Sequence, residues 1–125
     1  MTNSLNVRVW ALVLGLFISP ATPAEPSVNT QKEIERLLRY TEASGCEFYR
    51  NRIWYKSQTA QTHLRSKYEY LARRNLINAA EDFISMVATK SSVTGDPYEV
   101  RCSSRAPVAS NRWLSDVLAN LRTQP

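Results

Sequence analysis

Soft metal ligands are scarce in this sequence, which holds one histidine and two cysteines, too few for a zinc finger or an iron–sulfur protein. Glycine is equally sparse at three residues, and none of them sits in a phosphate-loop pattern or a Gly-x-Ser-x-Gly nucleophile elbow. There is no Cys-x-x-Cys, so the two cysteines do not read as a redox-active pair. The sequence also lacks hydrophobic runs long enough for a multi-pass membrane protein. What is present is ordinary soluble composition, 43% hydrophobic and 22% charged, which excludes collagen-like, low-complexity and fully disordered chains. A length of 125 residues allows one domain at most.

The first 24 residues read as a secretory leader: a polar start with one positive charge at Arg8, an apolar run from Val9 to Ile18, then small residues around Pro20 and Pro23. The run has ten residues, against the about 20 that span a bilayer as a helix. Cleavage after Ala24 is favoured over cleavage after Ala21, because Thr22 and Ala24 are then the small residues flanking Pro23. Residues 25–125 are thus expected to form a single small domain, periplasmic or secreted, with no stable membrane anchor after cleavage. Losing Arg8 lowers the formal charge of +5 by one. Outside the cytoplasm that charge points to an anionic small molecule or a cell-envelope component, and not to nucleic acid. Export also predicts a disulfide between Cys46 and Cys102, and closing a loop of that length contributes about 4 kcal/mol by the chain-entropy model.

The predicted fold is mainly α with a small β element, an α+β chain of about four amphipathic helices, a short hairpin, a strand and one disulfide. Thr30-Gln31-Lys32-Glu33 reads as a capping box before a helix over 31–44, with Ile34, Leu37, Leu38 and Thr41 on one face and Gly45 ending it. Cys46 to Tyr55 reads as a hairpin centred on Asn51-Arg52. Ser57 is expected to cap a second helix over 58–74, and Asn78-Ala79-Ala80-Glu81 to open a third whose inner face is Ala80, Phe83, Ile84, Val87 and Ala88. Residues 91–97 have turn chemistry, 98–102 alternate like a strand, and 103–109 read as a loop. Ser110 or Asn111 can cap a last helix bearing Trp113, Leu114, Val117, Leu118 and Leu121 on one arc.

Three clusters could carry function. His63 and Lys67 lie one turn apart, and Lys67 falls inside the apolar arc of the second helix, so its ammonium must snorkel or meet a carboxylate such as Glu81. The two cations form half of a candidate anion site. Ser91, Ser92, Thr94 and Gly95 offer hydroxyls and free amides that can cradle a carboxylate or phosphate, with Tyr98 placed to close over it; the same residues are those that end any helix. Arg50, Arg52 and Lys56, interleaved with Tyr49, Trp54 and Tyr55, would suit a polyanion or sugar, or simply form a solvated hairpin. Catalysis has less support, because no orienting acid is identifiable for a His63–serine pair and Glu81 and Asp82 point to different helix faces. No motif calls for a metal or another cofactor.

The order of motifs resembles the YfeK-like family of small exported bacterial proteins over residues 31–121. It is carried by Phe48-Tyr49-Arg50-Asn51, by His63-Leu64-Arg65-Ser66-Lys67, by Ala80-Glu81-Asp82-Phe83-Ile84, and by Ser91-Ser92-Val93-Thr94-Gly95-Asp96-Pro97-Tyr98. Arg52 stands where the pattern usually has glycine, and Ala79 where it commonly has threonine. The resemblance implies export and a shared small fold, supplies no catalytic residues, and gives a reason to test His63, Lys67, Ser92, Thr94 and Tyr98 together. The expected function is therefore a non-catalytic binding or accessory module with an anionic-ligand site at His63, Lys67, Ser91, Ser92, Thr94 and Tyr98. A small cell-envelope hydrolase using His63, and a partner-binding protein using the basic aromatic hairpin, are the alternatives.

Overall fold

The computed structural model describes residues 11–17 and 25–124; both candidate cleavage positions, Ala21 and Ala24, lie outside the described residues, and 11–17 form no regular element. The first helix, α1, spans Val28–Ala43 and starts earlier than the sequence suggests. Its cap is Ser27, whose hydroxyl oxygen accepts from the Thr30 amide at 3.2 Å. Thr30 is not a cap: it is buried, and its hydroxyl donates to the Asn78 carbonyl at 3.2 Å. The Thr30 capping box therefore fails because tertiary partners claim both of its members, Glu33 being taken by Arg122. Ile34, Leu37, Leu38 and Thr41 form the buried stripe their spacing predicts, and Gly45 follows the helix at φ 67°.

The hairpin consists of β1 (Glu47–Arg50) and β2 (Ile53–Lys56), antiparallel, with Phe48 opposite Tyr55 and Tyr49 opposite Trp54. Asn51 and Arg52 sit at φ 50° and 69°, the left-handed pair a two-residue turn demands, so Arg52 accepts the strain that glycine would avoid. β1 also pairs with β3 (Glu99–Arg101), and β3 with β4 (Val108–Ala109), giving an antiparallel sheet of order β2-β1-β3-β4. β4 lies in the stretch expected to be a loop; two residues are too short to show an alternation. The disulfide joins Cys46, just before β1, to Cys102, just after β3, with Cα atoms 4.4 Å apart.

The second helix, α2, runs Ser57–Ala72, and Ser57 is its first residue and not its cap. Its hydroxyl donates to the Glu42 carbonyl at 2.9 Å, pinning the start of α2 to the end of α1. The third helical segment is not one α-helix: α3 covers only Ala80–Asp82 and passes into a π-helical turn, Phe83–Val87. Its entry is held by Asp82, whose carboxylate accepts from the Asn78 and Ala79 amides at 2.9 and 3.0 Å, and not by Asn78 and Glu81. At the exit the Ala88 amide reaches back to the Phe83 and Ile84 carbonyls, and the Thr89 hydroxyl donates to Ile84 at 2.7 Å, which stabilises the wider turn. The last helix, α4, spans Ser110–Arg122 after Ala109, so neither Ser110 nor Asn111 caps it.

The main core gathers Ile34, Leu37 and Leu38 of α1, Leu64 of α2, Phe83 and Val87 of the π turn, and Leu114, Val117 and Leu118 of α4. A smaller cluster under the sheet holds Cys46, Phe48, Ala60 and Val100, and Trp113 packs against both. Two ion-paired arginines tie the helices from outside. Arg65 grips Glu35 at 2.6 and 3.0 Å, while Arg122 joins Glu33 at 2.7 and 3.0 Å and also meets Glu81. These guanidinium contacts hold the Glu33, Glu35 and Glu81 carboxyls below the usual carboxylate range. All of these side chains are at least partly solvated, so each pair contributes little to stability.

Candidate functional site

A half-open recess of about 390 Å³, counting its mouth, lies where β1, α2 and the segment before β3 converge. Its polar wall is made of Arg50, Thr59, His63, Tyr98 and Ser110. Its apolar wall is Phe48, Tyr49, Tyr55, Ala60 and Leu64. No carboxylate lines it.

Local geometry explains how these side chains arrive together. In β1 alternation puts Arg50 on the same side as the buried Phe48, and Tyr55 lies directly across from Phe48. On α2, Ala60, His63, Leu64 and Lys67 share one face, at spacings of three and four residues. Tyr98 is fixed by main-chain bonds on both sides: its amide donates to Thr89 at 2.9 Å, and its carbonyl accepts from the Ser110 amide at 2.9 Å. The Tyr98 ring is buried, meets His63 edge to face with centroids 6.4 Å apart, and its hydroxyl lies 3.4 Å from His63 Nε2.

Electrostatically the recess is positive and partly shielded from solvent. Burial, with the Arg50 and Lys67 charges, pushes the His63 imidazole below its ordinary value of 6.5. The ring is therefore mostly neutral at pH 7, holding one proton that either nitrogen can carry. Burial raises the Tyr98 phenol, although Arg50 pulls it the other way by its charge and by hydrogen bonding. Arg50 Nε is the one side-chain nitrogen or oxygen among the described residues that is buried with no hydrogen-bond partner. Leaving such a group unsatisfied costs about 1–3 kcal/mol, and more when it is charged.

The residues singled out from the sequence separate into two groups. His63 and Tyr98 meet in the recess. Lys67 stands behind it, half-buried, with its ammonium 5.3 Å from the Tyr98 ring centroid and donating to the Lys90 carbonyl at 2.9 Å. That contact, and not a pair with Glu81, satisfies it; burial and the Arg50 and Lys90 charges lower its pKa. Ser91, Ser92 and Thr94 do not line the recess. Ser91 Oγ accepts from the Val93 and Thr94 amides at 3.2 Å each, and Ser92 is exposed. The Thr94 hydroxyl donates to Asn51 at 3.1 Å, clasping this turn to the tip of the hairpin. Of the basic aromatic hairpin, Trp54 lies beneath the Arg101 guanidinium at 4.0 Å and beside Tyr49 at 5.2 Å, so its ring is already stacked.

The sequence places Arg50 in the basic hairpin and marks Ser110 only as a candidate cap, and nothing in it singles out Thr59. Strand alternation from Phe48 was the available signal for Arg50, because residues two apart share a face. Ser110 had none, since its place in the recess follows from a main-chain bond to Tyr98.

Comparison with known proteins matches residues 28–122 to the model of a family of unknown function, DUF5329. The chain is also similar to the "Uncharacterized protein YfeK" of Salmonella typhimurium, 38% identical over 79 residues, which are 61% of this chain and 64% of that protein. The chain thus spans a little under two thirds of the length of this relative. No solved structure matches. The matched span runs from the first residue of α1 to the last of α4 and contains every residue of the recess, and the chain belongs to this YfeK-like family of unknown function, DUF5329.

Proposed function

We propose that this is an exported, disulfide-linked binding or accessory protein that holds a small anion between Arg50, His63 and Tyr98. The observation that carries it is Arg50 in the wall of a recess without a carboxylate, with its Nε buried and unpartnered. An anion seated there would pair with the Arg50 guanidinium, and the Tyr98 hydroxyl and His63 could donate to it as well. His63 meets a phenol and not a serine hydroxyl or carboxylate, which favours binding over hydrolysis. Export rests on the leader, and the protein recovered from the periplasm of a bacterial host is expected to have the intact mass of a chain starting at Glu25. An unprocessed chain in the cytoplasm would refute export.

The anion site is tested by following the Arg50 Nε–H resonance during titration with sodium acetate against sodium chloride. A saturable shift with acetate alone is expected; no shift, or equal shifts, would remove the site. An anion beside His63 stabilises the imidazolium, so binding raises a pKa that the empty recess holds down. Acetate affinity should accordingly increase as pH falls from 7.5 to 5.5, by up to about tenfold per unit where one proton is taken up. His63→Gln is expected to flatten that slope.

A further inference from the structure

The recess carries more information than the sign of its ligand. Its charge count is low. Arg50 is the one permanent cation in the wall, His63 is held mostly neutral, and Lys67 lies outside the wall, occupied by the Lys90 carbonyl. A dianion such as phosphate would match its second charge only by protonating His63, which burial and the neighbouring cations oppose. A carboxylate brings one charge on two oxygens in a plane, which suits a single guanidinium with a phenol and an imidazole beside it. Half of the wall, from Phe48, Tyr49, Tyr55, Ala60 and Leu64, is mainly apolar and contains aromatic rings. The volume of about 390 Å³ counts the open mouth, so the enclosed space is much smaller and admits only a compact body.

Building on the anion site above, we infer that the recess takes a compact monocarboxylate with an aromatic or branched apolar body. The carboxylate lies against Arg50 and Tyr98, and the body lies against Phe48, Tyr55 and Leu64. Specificity is then divided between the two walls: charge selects the head, and burial selects the body.

Titration calorimetry with benzoate, acetate, benzamide and inorganic phosphate separates these contributions. Benzoate is expected to bind at least about tenfold more tightly than acetate, because its ring is removed from water against the apolar wall. It should also exceed benzamide by about tenfold or more, because the neutral amide has no charge and only one acceptor oxygen to offer Arg50. Arg50→Gln should weaken benzoate and acetate alike, by about 10- to 100-fold. Tyr55→Ala, on the half-buried edge strand, should weaken benzoate by more than it weakens acetate and so lower the benzoate-to-acetate ratio. Circular dichroism of each variant checks that the fold is kept. If acetate or phosphate binds as tightly as benzoate, the apolar-body specificity is wrong and the anion site stands. If benzamide binds as tightly as benzoate, or none of the four binds, the anion site fails with it.

Discussion

Replacing both cysteines, Cys46→Ser with Cys102→Ser, is expected to lower unfolding stability by about 4 kcal/mol, read from urea denaturation of the variant against the oxidised protein. The bond closes a long loop, with 56 residues of sequence separation, and most of the chain's β structure lies inside it. Opening it releases the unfolded chain from that constraint while the native contacts stay as they were. The loss is a large share of the about 5–15 kcal/mol that holds a domain together. Reductant should destabilise the native protein by a similar amount and leave the double variant unchanged. A loss below about 1 kcal/mol would mean that the reduced unfolded chain already keeps the two cysteine positions close. The bond also bears on the recess, since β1 ends at Arg50 and β3 begins just after Tyr98. Anion affinity is expected to fall in the reduced protein only in proportion to the fraction unfolded.

What could be read from the sequence, and what could not, follows a physical division. One-sided burial leaves a periodic mark, so the stripes of α1, α2 and α4, the hairpin centre at Asn51-Arg52 and the chirality of Gly45 were all legible. Caps were not. Ser27 and Thr30 carry the same hydroxyl, and the choice between them was made by Asn78 and Arg122, which lie far along the chain. The π turn left no sequence trace because Phe83, Ile84, Val87 and Ala88 suit the buried face of an α-helix equally well; the Thr89 hydroxyl on Ile84 is a local detail that spacing does not encode. In the site, the adjacency of His63 and Lys67 was readable as helix geometry, and their meeting with Tyr98 was not. The hydroxyl-rich turn from Ser91 to Thr94 looked like a cradle because its side chains are those that bind anions. In the fold Ser91 and Thr94 are engaged by their own backbone and by Asn51.

Phe83→Ala is expected to be the most damaging single truncation in the core, at about 3–5 kcal/mol. The side chain is fully buried, and it meets Tyr68 edge on with ring centroids 5.8 Å apart. It sits where the π turn presses between α2 and α4, so no exposed element can move in to fill the space it leaves. Its carbonyl also receives the Ala88 amide that defines the wide turn, and this main-chain bond survives the substitution. The effect should therefore follow cavity size, with Phe83→Leu costing distinctly less than Phe83→Ala in the same urea titration. Met86 provides the internal contrast. It lies in the same turn but is 40% exposed, and Met86→Ala is expected to stay within about 0.5 kcal/mol of the native protein. Equal losses at Phe83 and Met86 would reject the one-sided burial of this segment, whereas a gap of several kcal/mol is what that burial requires.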